Sequence, residues 1–303
     1  MKKLSKMINK IIIPAAGLGT RMLPFTKEQP KEMLPIYYKG INGEIFAKPI
    51  IQCIFEQMFE IGIRNFCFII GRSKRIIEDH FTIDHTFLKL LKRKGAKIYY
   101  DELKAFYKMI EQSNIYWINQ HTPKGFGHAV LLGESFIGND SFITHAGDVC
   151  IFSKVVHPLQ RMLELYNKCY NEVDAILLTK RIKDVDLLKQ HGIIIPDNKA
   201  RISDTYSDNI ILVKDLVEKP EKPPSEFAIM PIYIFKPIIF RMLREINVDR
   251  RGELQLTDAI QRLVKQGGNV YALIMPDNDI RIDVGMPSIY AQSLHSLTEW
   301  LNK

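Results

Sequence analysis

The sequence predicts an α/β fold, a doubly wound Rossmann-like mixed sheet with an antiparallel flap added to it. Three observations lead there. The apolar run Ile11 to Ile13 reads as a short buried strand, and Gly17 and Gly19 follow directly, where backbone can turn tightly and approach a ligand. Strand-like and helix-like segments then alternate, the order of right-handed βαβ units in a parallel sheet. Between 191 and 235 that alternation gives way to consecutive short strands.

After the glycine loop comes "TKEQPKEMLPI", rich in proline and charge, and then a hairpin, "YYKGINGEIF". "KPIIQCIFEQMFEIG" (48–62) has apolar residues at helical spacing, a proline near its start and Gly62 as its stop. "NFCFII" (65–70) is a buried strand, and a charged helical stretch runs from about 74 to 112. Strands at 115–119, 141–146 and 173–180 alternate with helices at 127–136 and over "VVHPLQRMLELYNKCY". The flap comprises "HGIIIP", "NIILVKDLVEK" and "FAIMPIYIF"; helices at 237–246 and 254–266, a strand at 269–276 and a helix from Pro287 complete the chain. Without repeats or low-complexity linkers, residues 1–303 read as one domain, with a core over 8–236 and a C-terminal helical region over 237–303 that completes the site and carries oligomer contacts.

Composition narrows the partners. The chain is 46% hydrophobic and 25% charged, an ordinary globular balance. Its net charge of +8 comes from dispersed lysines and arginines, and the densest cluster, "LKRKGAK", reads as a solvated helix end. Small anionic substrates fit that excess, and nucleic acid is not expected as a partner. No apolar run approaches the ~18 residues of a membrane span, and "MKKLSKMINKIIIPAAG" is broken by Pro14 and Gly17, so neither a membrane nor a secretory leader is expected. Cys53, Cys67, Cys150 and Cys169 show no C-x-x-C spacing and suit a reducing cytoplasm.

The glycine loop fits neither standard phosphate motif. A dinucleotide fingerprint needs a third glycine where Met22 stands, and a P-loop needs a lysine that does not follow Gly19 at the right distance. A βα turn whose glycines serve geometry alone is one reading. The other rests on Arg21 and Lys31, two cations just beyond amide-rich backbone, which together make a triphosphate cradle.

The stretch "PAAGLGTRMLPFTKEQPKEMLPI" resembles the signature G-x-G-T-R...P-K-x-[ML] of the sugar-1-phosphate nucleotidylyltransferases, in the longer form of their prokaryotic UTP-glucose-1-phosphate uridylyltransferase branch. "GRSKRIIEDHF", "KGFGHAV", "GDV", "HGI", "VEKP" and "GELQLTDAI" follow in the family's order, and an ordered set is far more specific than any member. The resemblance implies the nucleotide-diphospho-sugar transferase type of fold, with the flap binding sugar. It implies attack by the phosphate oxygen of glucose 1-phosphate on the α-phosphorus of UTP, giving UDP-glucose and pyrophosphate, assisted by Mg²⁺. Such a displacement needs alignment and neutralised charge rather than a protein nucleophile. A homodimer or homotetramer is also implied.

Carried over residue by residue, the resemblance makes Arg21, Lys31 and Asp148 catalytic and gives Mg²⁺ to Asp148 and Asp283. Two carboxylates suit this hard cation, which keeps waters and phosphate oxygens as its other ligands. A helix cap for Asp148 and a turn role for Asp283 are the plainer alternatives. Some relatives carry a second acid where this chain has Val149. The nucleotide falls to Ala15, Ala16, Gly17, Gly19, Thr20, Arg21, Gln120 and Gly125. Gln120 can pair with an imide edge that uracil and thymine share, so dTTP stays open beside UTP. The sugar phosphate falls to Gly192, Glu218 and Lys219, although "VEKP" alone would be an ordinary solvated turn. Two departures bear on this: the 37–47 segment is longer than in many relatives, and "AIMPIYIF" lacks their G-R-Y, which leaves another hexose 1-phosphate open. A binding-only regulatory homologue would be expected to have lost ligands that this chain retains.

Overall fold

The computed structural model of the protein describes residues 8–197 and 209–302; part of the expected flap, 198–208, lies outside them. In chain order the strands are β1 Lys10–Pro14, β2 Pro35–Lys39, β3 Ile45–Pro49, β4 Asn65–Ile70, β5 Asn114–Asn119, β6 Phe142–His145 and β7 Val149–Phe152. β8 Ala175–Arg181, β9 Gly192–Pro196, β10 Ile210–Glu218, β11 Phe227–Phe235, β12 Val270–Ile274 and β13 Ile280–Asp283 follow. The expected mixed α/β architecture is what forms. The chain packs as two units, each assembled from three segments: Met1–Pro14, Thr122–Ala146 and Ser153–Asp279 in one, Ala15–His121, Gly147–Phe152 and Ile280–Lys303 in the other.

The first unit holds the strands in the order β1, β6, β11, β8, β12, β10, β9. β1 runs parallel to β6 and β8 parallel to β12, whereas β11 is antiparallel to both β6 and β8. Ile11, Ile12, Ile13, Ile143, Ile176 and Leu177 are wholly buried, as strands covered on both faces require. The antiparallel region is built deeper into the sheet than an appended flap. "FAIMPIYIF" is apolar on both faces, so β11 is central, and only β9 and β10 form an outlying antiparallel pair. Helix Pro158–Lys168 starts on Pro158, with His157 Nδ1 accepting from the Leu159 amide at 3.2 Å. Helix Ile238–Glu245 lays Phe240 flat on Phe142 of β6, ring centroids 5.0 Å apart.

The second unit contains the parallel pair β4 and β5, the hairpin β2 and β3, and the antiparallel pair β7 and β13. Helix Ile50–Glu60 buries Ile50, Ile51, Ile54, Phe55 and Met58, and Phe55 meets Phe66, Phe81 and Phe106 at centroid distances of 4.6, 5.2 and 6.0 Å. The stretch expected as helical from 74 to 112 is divided into Arg75–His80, His85–Arg93 and Lys97–Glu111. Each break has a local cause: the Asp84 carboxylate accepts from the amides of Thr86 and Phe87 at 2.9 Å and starts the second helix, and Gly95, with φ of 68°, separates the second from the third. All four thiols are free and buried, and burial pushes Cys67 up to about 12. Among the described residues no helix is long and apolar enough to cross a membrane.

One ion pair ties the loop after the glycines to the body of this unit. Lys74, just ahead of helix Arg75–His80, donates to Glu32 at 2.7 Å, and Glu32 lies in a 3-10 turn, Lys31–Met33. Both side chains are buried, at 7% and 2% exposure, so neither charge has water as an alternative partner. Burial raises the Glu32 pKa against the opposing pull of Lys74 and Lys31. Replacement Glu32→Gln strands the Lys74 ammonium and is expected to lower unfolding free energy by about 3 kcal/mol in equilibrium denaturation, with the double variant E32Q/K74M recovering most of it.

Candidate active site

The glycine loop lies in the second unit. Ala15 continues from β1, its amide donating to the Ile69 carbonyl of β4 at 2.8 Å, and the Gln120 amide donates to the Ile70 carbonyl at 2.7 Å. Ala15, Ala16 and Gln120 are buried at these carboxyl ends of parallel strands, where open α/β sheets receive ligands. Gly17 and Thr20 are exposed and Gly19 is half-buried, so the loop offers its backbone to solvent. Gly19 has φ of 68°, and a Cβ there would meet the Thr26 methyl at 2.9 Å; the Thr26 hydroxyl instead donates to the Gly19 carbonyl at 2.7 Å. Arg21 follows at once, exposed, in the 3-10 turn Thr20–Met22, with Met22 buried beneath it.

Lys31 is turned toward this loop. Its Nζ would lie 3.8 Å from a Cβ on Gly17, and it donates to Asp148 Oδ2 at 2.6 Å. Burial alone would lower the Lys31 pKa, but the carboxylates of Asp148, Glu32 and Asp283 outweigh it and the net shift is upward. For Asp148 burial works the other way, and the charge and hydrogen bond of Lys31, with Arg281, hold the carboxyl below its ordinary range. Both groups are therefore ionised at neutral pH.

Asp148 and Asp283 are brought together by β7 and β13. Asp283 pairs in register with Val149, and the Val284 amide donates to the Asp148 carbonyl at 3.1 Å, so the two aspartates occupy adjoining strand ends. Val149, at the position of the acid found in some relatives, is buried and packs. Asp283 is held from three sides: Arg281 Nη2 donates to Oδ2, the Gly285 amide to Oδ1 at 2.7 Å, and its own amide donates to Ser293 Oγ at 3.1 Å. This all-oxygen pair fits a hard divalent cation. Among the described residues no three His, Cys, Asp or Glu side chains cluster as a metal cage, so further ligands would come from phosphate and water.

Gly125, Gly192, Glu218 and Lys219 belong to the first unit. Gly125 packs against Glu253 and Leu254, whose atoms a Cβ would meet at 2.9 Å, which accounts for the glycine without a ligand. Glu218 ends β10 opposite Gly192 of β9, and Lys219 Nζ lies 3.2 Å from Glu218 Oε1. Lys219 has φ of 42°, a left-handed conformation that costs a non-glycine residue roughly 1–2 kcal/mol. Its amide donates to the His191 carbonyl at 3.1 Å, which holds the turn. Glu218 and Lys219 line a cavity of about 510 Å³ together with Leu216, Asp249, Arg251 and Asp258.

Four residues that sequence reasoning passed over take part. Glu32 and Lys74 stand inside quoted motifs, and their neighbours, Lys31 and Met33 for the one and Ser73 and Arg75 for the other, give no sign that they are buried. Arg281 shares a strand face with Asp283 two residues on, a spacing visible in "RIDVG" once β13 is known. Thr257, inside "GELQLTDAI", donates to Glu218 Oε2 at 2.7 Å and gives no signal in the sequence.

The chain matches the family described as nucleotidyl transferase across residues 10–299. A UTP--glucose-1-phosphate uridylyltransferase of Bacillus subtilis (strain 168) is 38% identical over 260 residues, covering 85% of this chain and 81% of that protein. One from Pseudomonas aeruginosa is 34% identical over 264 residues, covering 86% of each. Among solved structures, a UDP-glucose pyrophosphorylase complexed with UDP-glucose is similar with a TM-score of 0.79 at 31% identity, covering 97% of this chain and all of that one. A UTP-bound UGPase from Acinetobacter baumannii has a TM-score of 0.78 at 28% identity, covering 96% and 93%. With the match running over nearly the whole chain and with relatives at 34–38% identity covered over most of their own length, the chain belongs to the nucleotidyl transferase family.

Proposed function

We propose that this nucleotidyltransferase transfers a uridylyl group from UTP to α-D-glucose 1-phosphate, giving UDP-glucose and pyrophosphate. The observation that carries the reading is the Lys31–Asp148 ion pair, 2.6 Å long, set beside the backbone of Gly17. The relatives and solved structures above, named for UTP, glucose 1-phosphate and UDP-glucose, support it.

In the proposed reaction a phosphate oxygen of the sugar phosphate forms a bond to the α-phosphorus as the bond to the bridging oxygen of pyrophosphate breaks. The amides from Gly17 to Thr20 hold phosphate oxygens, and Arg21 neutralises the charge that develops on them. Lys31, already desolvated and ionised, pairs with the departing pyrophosphate. Asp148 and Asp283 would hold Mg²⁺, which when bound supplies charge neutralisation to the phosphates. The base is held by the backbone of Ala15 and Ala16 and by Gln120, whose amide pairs with an imide edge. Glu218 accepts from sugar hydroxyls, Lys219 pairs with the sugar phosphate, and Gly192 allows close approach. We take the enzyme to act in the cytoplasm as a homodimer or homotetramer; four buried, reduced thiols accord with that compartment.

Pyrophosphate release from four nucleoside triphosphates against glucose, galactose and N-acetylglucosamine 1-phosphates tests the substrate pair. UTP with glucose 1-phosphate is expected to turn over fastest; dominance of dTTP or of another hexose would replace the pair, and no release with any would leave a binding-only protein. Asp148→Asn is expected to lose about 10²–10³ in kcat while still folding cooperatively, with its melting point lowered because Lys31 loses its partner, and Arg21→Ala to depress kcat more than UTP binding. Lys219→Ala is expected to raise the KM for the sugar phosphate about tenfold while kcat changes little, read from steady-state kinetics at saturating UTP.

A further inference from the structure

Glu218, which the proposed function assigns to the sugar hydroxyls, is fixed at both oxygens. Oε2 accepts from the Thr257 hydroxyl at 2.7 Å, and Oε1 lies 3.2 Å from Lys219 Nζ. Thr257 is the second residue of helix Leu256–Lys265 and is 7% exposed, so its hydroxyl has little water to turn to. Two χ1 wells are open to a threonine in a helix, and the bond to Glu218 selects the one its hydroxyl occupies. The amino end of that helix also favours a carboxylate beside it.

Gly192 completes the arrangement. It pairs with Glu218 across β9 and β10, and a Cβ on it would stand 2.9 Å from Thr257 Oγ1 and 3.2 Å from Glu218 Oε2. Three elements thus close around one carboxylate, and the glycine leaves the space in which hydroxyl and carboxylate meet. A threonine hydroxyl has a single proton to donate, and here it goes to Glu218. A carboxylate oxygen accepts more than one hydrogen bond, so each keeps a site for a ligand donor. Two acceptors spaced as in a carboxylate match adjacent hydroxyls of a pyranose.

We infer that Thr257 is a positioning residue for the sugar phosphate: its hydroxyl, admitted by Gly192, sets the plane of the Glu218 carboxylate so that it receives adjacent hydroxyls of the hexose. The inference rests on the reading of Glu218 as the sugar-binding acid. Thr257→Val keeps the shape and removes the donor, whereas Thr257→Ser keeps the donor. Steady-state kinetics at saturating UTP, with glucose 1-phosphate and its 2-deoxy and 3-deoxy analogues, separate the cases. Thr257→Val is expected to raise the glucose 1-phosphate KM about tenfold, to leave kcat and the UTP KM within about twofold, and to narrow the preference for glucose over the deoxy analogues. Thr257→Ser is expected to behave as the parent. Thr257→Ala, which also removes the donor, is expected to shift the KM as Thr257→Val does and stands in for it should that variant not fold. On a Glu218→Gln background, Thr257→Val adds nothing further if the two act as one. Parent-like kinetics for Thr257→Val, equal impairment of the serine variant, or additive effects with Glu218→Gln would overturn the inference. A Glu218→Gln variant with unchanged sugar-phosphate KM and deoxy preference would instead overturn the assignment of Glu218, and the inference with it.

Discussion

The antiparallel pairing of Val149–Phe152 with Ile280–Asp283 is the constraint on which the candidate nucleotide site depends. It makes neighbours of two aspartates that are remote in sequence. A two-stranded ribbon is marginal by itself, and this one is held by what surrounds it. Cys150 and Ile151 are wholly buried, Gln57 Nε2 of helix Ile50–Glu60 donates to the Ile151 carbonyl at 2.9 Å, and Trp300 of the last helix meets Phe152 edge-on at 5.5 Å. Ser293 of that helix takes the Asp283 amide. The ribbon is thus clamped by helices from two distant parts of the chain, and the carboxylates inherit its rigidity.

The charges around it are matched in pairs. Glu32 has Lys74, Asp148 has Lys31 and Asp283 has Arg281. This is the condition under which buried carboxylates persist, since an unpaired one would be protonated or would destabilise the fold. The same matching leaves Lys31 already desolvated and oriented beside the glycine loop. In the proposed reaction a polyphosphate meets donors whose ordering cost the fold has met in advance.

Much of this was legible in the sequence because it is local. The buried strand at Ile11 to Ile13, the hairpin at 37–46, the strand at 65–70 and the helix from Pro287 follow from periodicity and from proline and glycine punctuation. The candidate residues Lys31, Asp148 and Asp283 are read from motif order, and the structure brings them together. What was illegible is non-local. β7 and β13 are four residues long, too short for periodicity to declare, and their pairing partner is far away in sequence. The central place of β11 depends on which strands flank it, although its two apolar faces hint at burial. Lys74 and Thr257 act through partners that only folding supplies, and a lysine or threonine in a helical pattern carries no mark of such a partner.

The discontinuity of the second unit bears on how the chain matures during translation. Its closing segment, Ile280–Lys303, follows every strand of the first unit, from β1 to β12, in order of synthesis. Until the ribosome has delivered β13, the apolar strand β7 has no hydrogen-bonding mate and presents an open edge to other chains. The nascent protein therefore passes through an interval in which Ala15–His121 is made but the ribbon beneath its ion pair is half complete, and completion waits on contacts of long sequence separation.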